Sequence, residues 1–349
     1  MPKERNGYFP EQGTYSIDMK KYFYIVLVLA MSLSILDAKK VKIKMATLAP
    51  EGTEWHGLLM KMGQEWKKAT DGKINLRVYP GGVVGDERDM IRKMRIGQIQ
   101  GAAITSEGLT EVNPQYSVFF IPMLYQQFSD LDLLYEKLGD DLVSNAEKNG
   151  FKVILMVDVG WVYWFTSDSV RTPDDLREHS IFTWAGDYRT AALWEKSGFQ
   201  VVPLAMTDML SGLQTGMVNA MAFNPMYVLA QQSFGITKYM LDMKWGMLSA
   251  AVILDLRTWN RIDLVHQDKM IEIANRISTD FQRKNRLESD EAIAVMKEYG
   301  LVVTTPTEAE FEEWKSLVEE MYPLIRGQIV EENIFDRVME FKHELEADN

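Results

Sequence analysis

The stretch from Asp174 to Tyr227, DDLREHSIFTWAGDYRTAALWEKSGFQVVPLAMTDMLSGLQTGMVNAMAFNPMY, constrains the fold most. SIFTW reads as a strand, the run through Leu193 as an amphipathic helix, and VVPL as a second strand. Another helix starts near Thr207 and stops at Gly216, and the apolar VNAMAF is a third strand. This is half of an α/β domain. Ligands of such domains gather where strands end and helices begin, and here those places carry Trp184, Phe223 and Asn224.

The alternation extends over the rest of the chain. VKIKMATLAP, residues 41–50, alternates apolar and polar and ends at a proline, as a first strand would. Trp55, Leu58, Leu59, Met62 and Trp66 then fall on one helix face. KINLRVYP is a second strand, and Gly81, Gly82 and Gly85 form a turn before a charged helix that stops at Gly97. Those glycines lack dinucleotide-fingerprint spacing and no acidic residue follows on a suitable strand, so no cofactor is expected. FKVILMVDV is an unbroken apolar run, suited to a strand covered on both faces of a parallel or mixed sheet. It leads into Gly160-Trp161-Val162-Tyr163-Trp164-Phe165, which fits either a hydrophobic core corner or a pocket wall. YMLDMKWGMLSAAVILDL reads as two strands around Gly246, with Trp245 at the break. Residues 267–299 form one proline-free helix, a length that suits a helix lying across two domains. LVVTT is a last strand, Pro306 and Thr307 open another helix, and the tail from Glu331 is a charged amphipathic helix.

Composition narrows the function. The chain's 349 residues, 46% hydrophobic and 25% charged, supply one large or two medium cores. A net charge of -12 provides no basic stripe for phosphates, so no nucleic-acid partner is expected. The absence of Cys excludes disulfides, thiolate metal sites and a cysteine nucleophile. His56, His179, His266 and His343 lie in different elements without ligand spacing and read as surface or capping residues, so no metal site is expected. No GxSxG turn is present, and Ser106 is the one serine worth checking. An enzyme is therefore not expected. Lys20 and Lys21 precede an apolar run, Tyr22 to Leu36, shorter than the roughly 20 residues of a membrane span. It reads as a secretory signal peptide cleaved near Ala38, with a retained membrane anchor as the alternative and Met19 as the natural start. A secreted α/β chain without a catalytic cluster points to a binding protein that closes on a solute.

Several segments carry a family resemblance in the right order. PGGVVGDERDMIRKMRIGQIQGA, FFIPMLYQQFSDLD, RTPDDLREHSI and GLQTGMVNA resemble segments of the DctP-type solute-binding proteins of the tripartite ATP-independent periplasmic (TRAP) transporters, and the match runs from about Val41 to Tyr322. The resemblance implies an α/β, two-lobed periplasmic binding protein-like fold, type II-like. Two domains with mixed sheets would be joined by crossover strands and spanned by a long helix. Residues 1–38 would be an N-terminal extension plus signal peptide. Residues 39–160 and 248–285 would form lobe I, 161–247 and 286–325 lobe II, and 326–349 a C-terminal helix. It further implies a periplasmic receptor that delivers a small solute to TRAP membrane permease subunits, with a periplasmic helical-repeat accessory protein as a further partner in related systems. A scaffold or signalling role on the same fold is the alternative from another class.

The departures bear on the ligand. Typical members carry an arginine after the Pro-Glu-Asp-Leu turn, which pairs bidentately with the carboxylate of an organic acid. The same register here holds Phe182, and the family's second basic position falls at about Val162 or Tyr163. A site built from Trp55, Trp161, Tyr163, Trp164, Phe182, Trp184, Phe223, Asn224, Tyr227 and Trp245 would not compensate a buried carboxylate. A hydrophobic or amphipathic solute is therefore expected, its polar end held by Asn224 and by Tyr163 or Tyr227. The competing expectation is an organic-acid receptor in which Arg189 or Arg77 replaces the missing cation.

Overall fold

The structure is a computed structural model that describes residues 40–347, without the side chains at 287–289 and 343–347. The signal-peptide reading, the start at Met19 and the His343 side chain lie outside the described residues.

Alternating burial builds β1 (Val41–Thr47), in which Val41, Ile43 and Met45 turn inward while Lys42 and Lys44 face water. α1 (Glu54–Ala69) is capped by Thr53, whose hydroxyl accepts from the His56 amide, and it buries Leu58, Leu59, Met62 and Trp66. β2 (Ile74–Tyr79), α2 (Glu87–Arg95), β3 (Gly101–Thr105), α3 (Ser106–Thr110) and α4 (Phe128–Lys148) lead to the 16-residue β4 (Phe151–Thr166). The stretch read as strand–helix–strand–helix–strand folds that way. Preceded by α5 (Pro173–Arg177), it gives β5 (Ser180–Trp184), α6 (Tyr188–Lys196), β6 (Gln200–Leu204), α7 (Met209–Gln214) and β7 (Ala220–Phe223), then α8 (Pro225–Ala230). The chain continues through β8 (Tyr239–Asp255), α9 (Leu256–Trp259), α10 (Leu264–Glu298), β9 (Val302–Thr304), α11 (Glu308–Ile325) and α12 (Glu332–Ala347).

The described strands form one nine-stranded mixed sheet in the order β2-β1-β3-β8-β4-β7-β5-β6, with β9 also on β8. β1 runs parallel to β2 and β3, and β5 parallel to β6 and β7, while the contacts of β3 and β4 with β8 and of β4 with β7 are antiparallel. Each lobe thus has its own parallel set, and β4 and β8 belong to both. Their ladder runs from Phe151 opposite Asp255 to Thr166 opposite Tyr239, with register shifts at Val153/Leu155, Asp158/Gly160 and Val162/Trp164. The break expected at Gly246 is absent: Gly246 pairs with Val162, and β8 is one 17-residue strand. The glycine instead marks an irregularity, since the next pair of the ladder is Trp164 with Leu241 and residues 242–245 lie outside it.

α10, 35 residues and so about 50 Å long, packs against α1, β4 and α8, and therefore touches elements from both halves of the sheet. The Trp66 indole N–H donates to the Met270 carbonyl on this helix at 3.1 Å. One buried cluster lies between α1, α10 and the first half of the sheet, and a larger one runs from α2 and β3 into the second half beneath α4, α11 and α12. The surface reading of the histidines is corrected at two positions, since His179 and His266 are buried. His179 places Nδ1 3.0 Å from the Asp175 carbonyl at the end of α5, where the ring also covers the core.

Candidate functional site

Between the two halves lies a cleft of about 520 Å³. One wall is the segment from Thr47 to Trp55, with Glu87 and Thr105; the other carries Trp184, Met206, Phe223, Asn224, Met226 and Tyr227, and Leu248, Phe281 and Asn285 complete it. A second cavity of about 140 Å³ adjoins it, sharing Trp184, Phe223 and Leu248. Its remaining lining includes Val162, Trp164, Phe182, Ala222, Trp245 and Ile325, with the acids Glu107 and Asp187. Among the described residues no Lys, Arg or His lines either cavity.

Aromatic contacts fix these walls. Phe182, Trp184 and Phe223 stand 5.8 to 6.0 Å from one another, and Tyr227 lies 5.2 Å from Phe223. Across the cleft Trp55 meets Phe281 edge to face at 5.4 Å. Behind the side cavity Trp164, Trp194 and Trp245 pack at 5.4 to 5.6 Å, with Trp314 5.8 Å from Trp245. Pairs at these separations favour one another beyond the area they bury.

The sequence-derived residues divide in two. Eight line a cavity: Trp55, Asn224 and Tyr227 the main cleft, Trp164, Phe182 and Trp245 the side cavity, and Trp184 and Phe223 both. Trp161 and Tyr163 line neither. Trp161 packs on Phe128 at 5.2 Å with the Lys244 ammonium 4.4 Å above its ring. Val162 and Trp164 line the side cavity, and Trp161 and Tyr163 alternate with them along β4. Arg77 is exposed on the edge strand beside the Tyr79 ring, and Arg189 is exposed; neither reaches a cavity. The sequence reading missed Phe281 and Asn285, whose four-residue spacing puts them on one face of α10, and Met206 and Met226. It also missed the Thr47–Thr53 segment, although a loop at the end of a strand was the signal to follow.

The polar groups are largely committed within the protein. The Asn224 carboxamide accepts from the Tyr227 amide at 2.9 Å, capping α8, and donates to the Val159 carbonyl at 3.0 Å. Glu87 accepts from the Thr105 amide and hydroxyl at 2.8 and 2.7 Å and from the Gly108 amide at 2.9 Å. Only glycine fits at 108, because a Cβ would stand 2.7 Å from the Glu87 carboxylate. Burial outweighs these donors and pushes the Glu87 carboxyl up to about 7. Arg88 bonds Glu107 at 2.8 Å and also pairs with Glu111, while burial, then nearby Asp187, raises Glu107. Across the cleft edge the Met206 amide donates to Asp86 at 3.0 Å.

Among the described residues no cluster of metal-ligating side chains is present. Nor is any described helix long and apolar enough to cross a membrane.

Comparison with known proteins agrees with this architecture. The model of the family described as bacterial extracellular solute-binding protein, family 7 (DctP) matches residues 45–328. The 2,3-diketo-L-gulonate-binding periplasmic protein YiaO of Escherichia coli is 24% identical over 285 residues, covering 81% of this chain and 86% of its own. The C4-dicarboxylate-binding periplasmic protein DctP of Rhodobacter capsulatus is 23% identical over 280 residues, covering 78% and 82%. Among solved structures, the sugar acid binding protein DctPAm of Advenella mimigardefordensis, in complex with galactonate, superposes with a TM-score of 0.81 at 15% identity, over 88% of this chain and 99% of that one. A TRAP periplasmic solute binding protein of Desulfovibrio salexigens, with bound orotic acid, gives 0.78 at 18% identity, over 87% and 99%. The chain therefore belongs to the DctP family of bacterial extracellular solute-binding proteins, and it has the two-lobed fold of the TRAP solute-binding proteins to which it is similar.

Proposed function

We propose that this receptor captures a hydrophobic or amphipathic solute in its interlobe cleft and hands it to TRAP permease subunits. The observation that carries the reading is the lining: aromatic and aliphatic side chains, several carboxyl groups, and among the described residues no basic side chain. Apolar area covered there contributes about 25 cal/mol per Å². A carboxylate would be desolvated in this apolar lining without a cation of its own, at a cost of several kcal/mol. Arg88, the arginine adjoining the side cavity through Glu107, is engaged by Glu107 and Glu111, so an organic acid would have to displace one of them. Asn224 acts on α8 and the Val159 carbonyl, leaving Tyr227 and backbone groups of the Thr47–Thr53 loop for a polar end.

The test is mass spectrometry of solute carried through purification, followed by calorimetry. An apolar or amphipathic compound that binds tightly, with succinate and galactonate failing to compete, is the expected outcome. Tight binding of either acid overturns the reading in favour of a conventional organic-acid receptor. A periplasmic helical-repeat protein that bound the solute-free receptor, with no solute found, would favour the scaffold role.

A further inference from the structure

β2 and β6 stand at opposite ends of the strand order, yet the segments that follow them touch. After β2, Asp86 accepts from the Glu87 amide at 2.7 Å through Oδ1, capping α2, and from the Met206 amide at 3.0 Å through Oδ2. Met206 follows β6. Beside this bond a Cβ at Gly82 would stand 2.8 Å from Thr207 Cγ2, and one at Gly186 would stand 3.1 Å from the Arg88 side chain. Strand spacings of about 4.8 Å would hold β2 and β6 roughly 34 Å apart in a flat sheet. These contacts therefore exist only while the sheet is folded over the cleft.

Both partners are tied to the cleft walls. Gly82 and Gly81 donate to the Thr47 and Ala49 carbonyls at 3.0 and 2.9 Å, and Thr47, Ala49 and Met206 line the main cleft. Asp86 itself lines neither cavity. It is buried, so its second oxygen has exchanged water for the Met206 amide. A backbone amide held by a carboxylate is held more strongly than by a neutral oxygen.

We propose that the Asp86 carboxylate and the Met206 amide form a catch that holds the lobes shut around the solute, made on closing and broken on opening. Asp86 is a positioning residue: it touches no solute, and it sets how long the closed receptor keeps what it has captured. The catch offsets part of the cost of folding the sheet over, so closing asks less of the solute. It acts alike on an apolar solute and on an acid.

The chain contains no cysteine, so an introduced pair reports closing with no solute present. Gly82→Cys with Thr207→Cys puts the sulfurs within bonding reach only while the lobes are shut. The readout is the rate of disulfide formation in the full receptor, freed of solute and exposed to dilute oxidant. Asp86→Ser keeps an oxygen to cap α2 but is too short to reach Met206, and it should slow the reaction at least about fivefold. Met206→Pro deletes the amide from the other side, at the first residue of a helical turn behind extended Ala205, where proline fits; it should slow the reaction as much. Together they should be no slower than the slower single variant, because the same bond is lost. An unchanged rate in either variant overturns the proposal, as does slowing that multiplies when the two are combined. So does a cysteine pair that stays reduced in the otherwise natural receptor, an outcome that needs no change at Asp86 or Met206.

Discussion

Asn224 and Asn285 donate to the same oxygen, the Val159 carbonyl, at 3.0 and 2.7 Å. One amide comes from the end of β7 and the other from α10, and the shared carbonyl sits at the Asp158/Gly160 register shift of β4. The carbonyl keeps a partner when either asparagine is lost. Asn285→Ala should cost about 1 kcal/mol, and Asn224→Ala about 1–2 because it also uncaps α8. The double variant leaves the carbonyl unmet and should exceed the sum by about 1 kcal/mol, read from denaturant midpoints.

Arg286 holds the fully buried Asp158 through two bonds at 2.9 and 3.1 Å, and it also reaches the exposed Asp132. The two ends of this pair are unequal. Arg286→Met strands a buried carboxylate and should cost about 3–5 kcal/mol, whereas Asp158→Asn, which leaves Arg286 with Asp132, should cost clearly less. Chemical denaturation of both variants measures the asymmetry; equal losses would contradict it.

The carboxyl of Glu87 is raised from 4.5 to about 7 in the folded protein, chiefly by burial. The folded state therefore holds a proton that the unfolded state releases above its own lower value. The stabilisation is fully present below about pH 4.5 and is lost as pH rises through 7, with an upper limit of about 3 kcal/mol. Thermal melts from pH 5 to 8 should show this fall, and Glu87→Gln should reduce it, leaving the part that Glu107, raised by burial to about 8, contributes with the same sign.

Phe182→Arg would put a guanidinium in the side cavity beside Glu107 and Asp187. Apolar-solute affinity should drop by at least about tenfold, since burying a charge costs more than the 1.4 kcal/mol this represents. Unchanged affinity in a titration would show that residue 182 does not face the solute.

The strand–helix alternation of residues 174–227 was legible because each segment buries one face, and burial writes its period into the sequence. So was the long helix. The missing arginine was legible only by resemblance. Gly246 misled only in part: β8 runs on through it as one strand, but the β4–β8 ladder jumps there from Gly246 to Leu241, so the glycine marks an irregularity and not a strand end. The placement of Trp161 and Tyr163 beyond both cavities follows from period-two alternation in β4, which assigns Val162 and Trp164 to the other face. Phe281 and Asn285 were not legible, because nothing in a helix sequence says which cleft its face will meet. Arg88 also escaped notice, since its carboxyl partners are fixed only by the packing of α2 against α3.

The register shifts shared by β4 and β8 carry a mechanical consequence. At each shift the ladder already lacks regular rungs, and Gly160 takes a φ of +137° at the middle one. The two lobes are therefore coupled by a continuous leaf spring with soft points, not by slack tethers. Closing on a solute bends this spring, and the elastic cost of the bend is subtracted from whatever grip the solute provides.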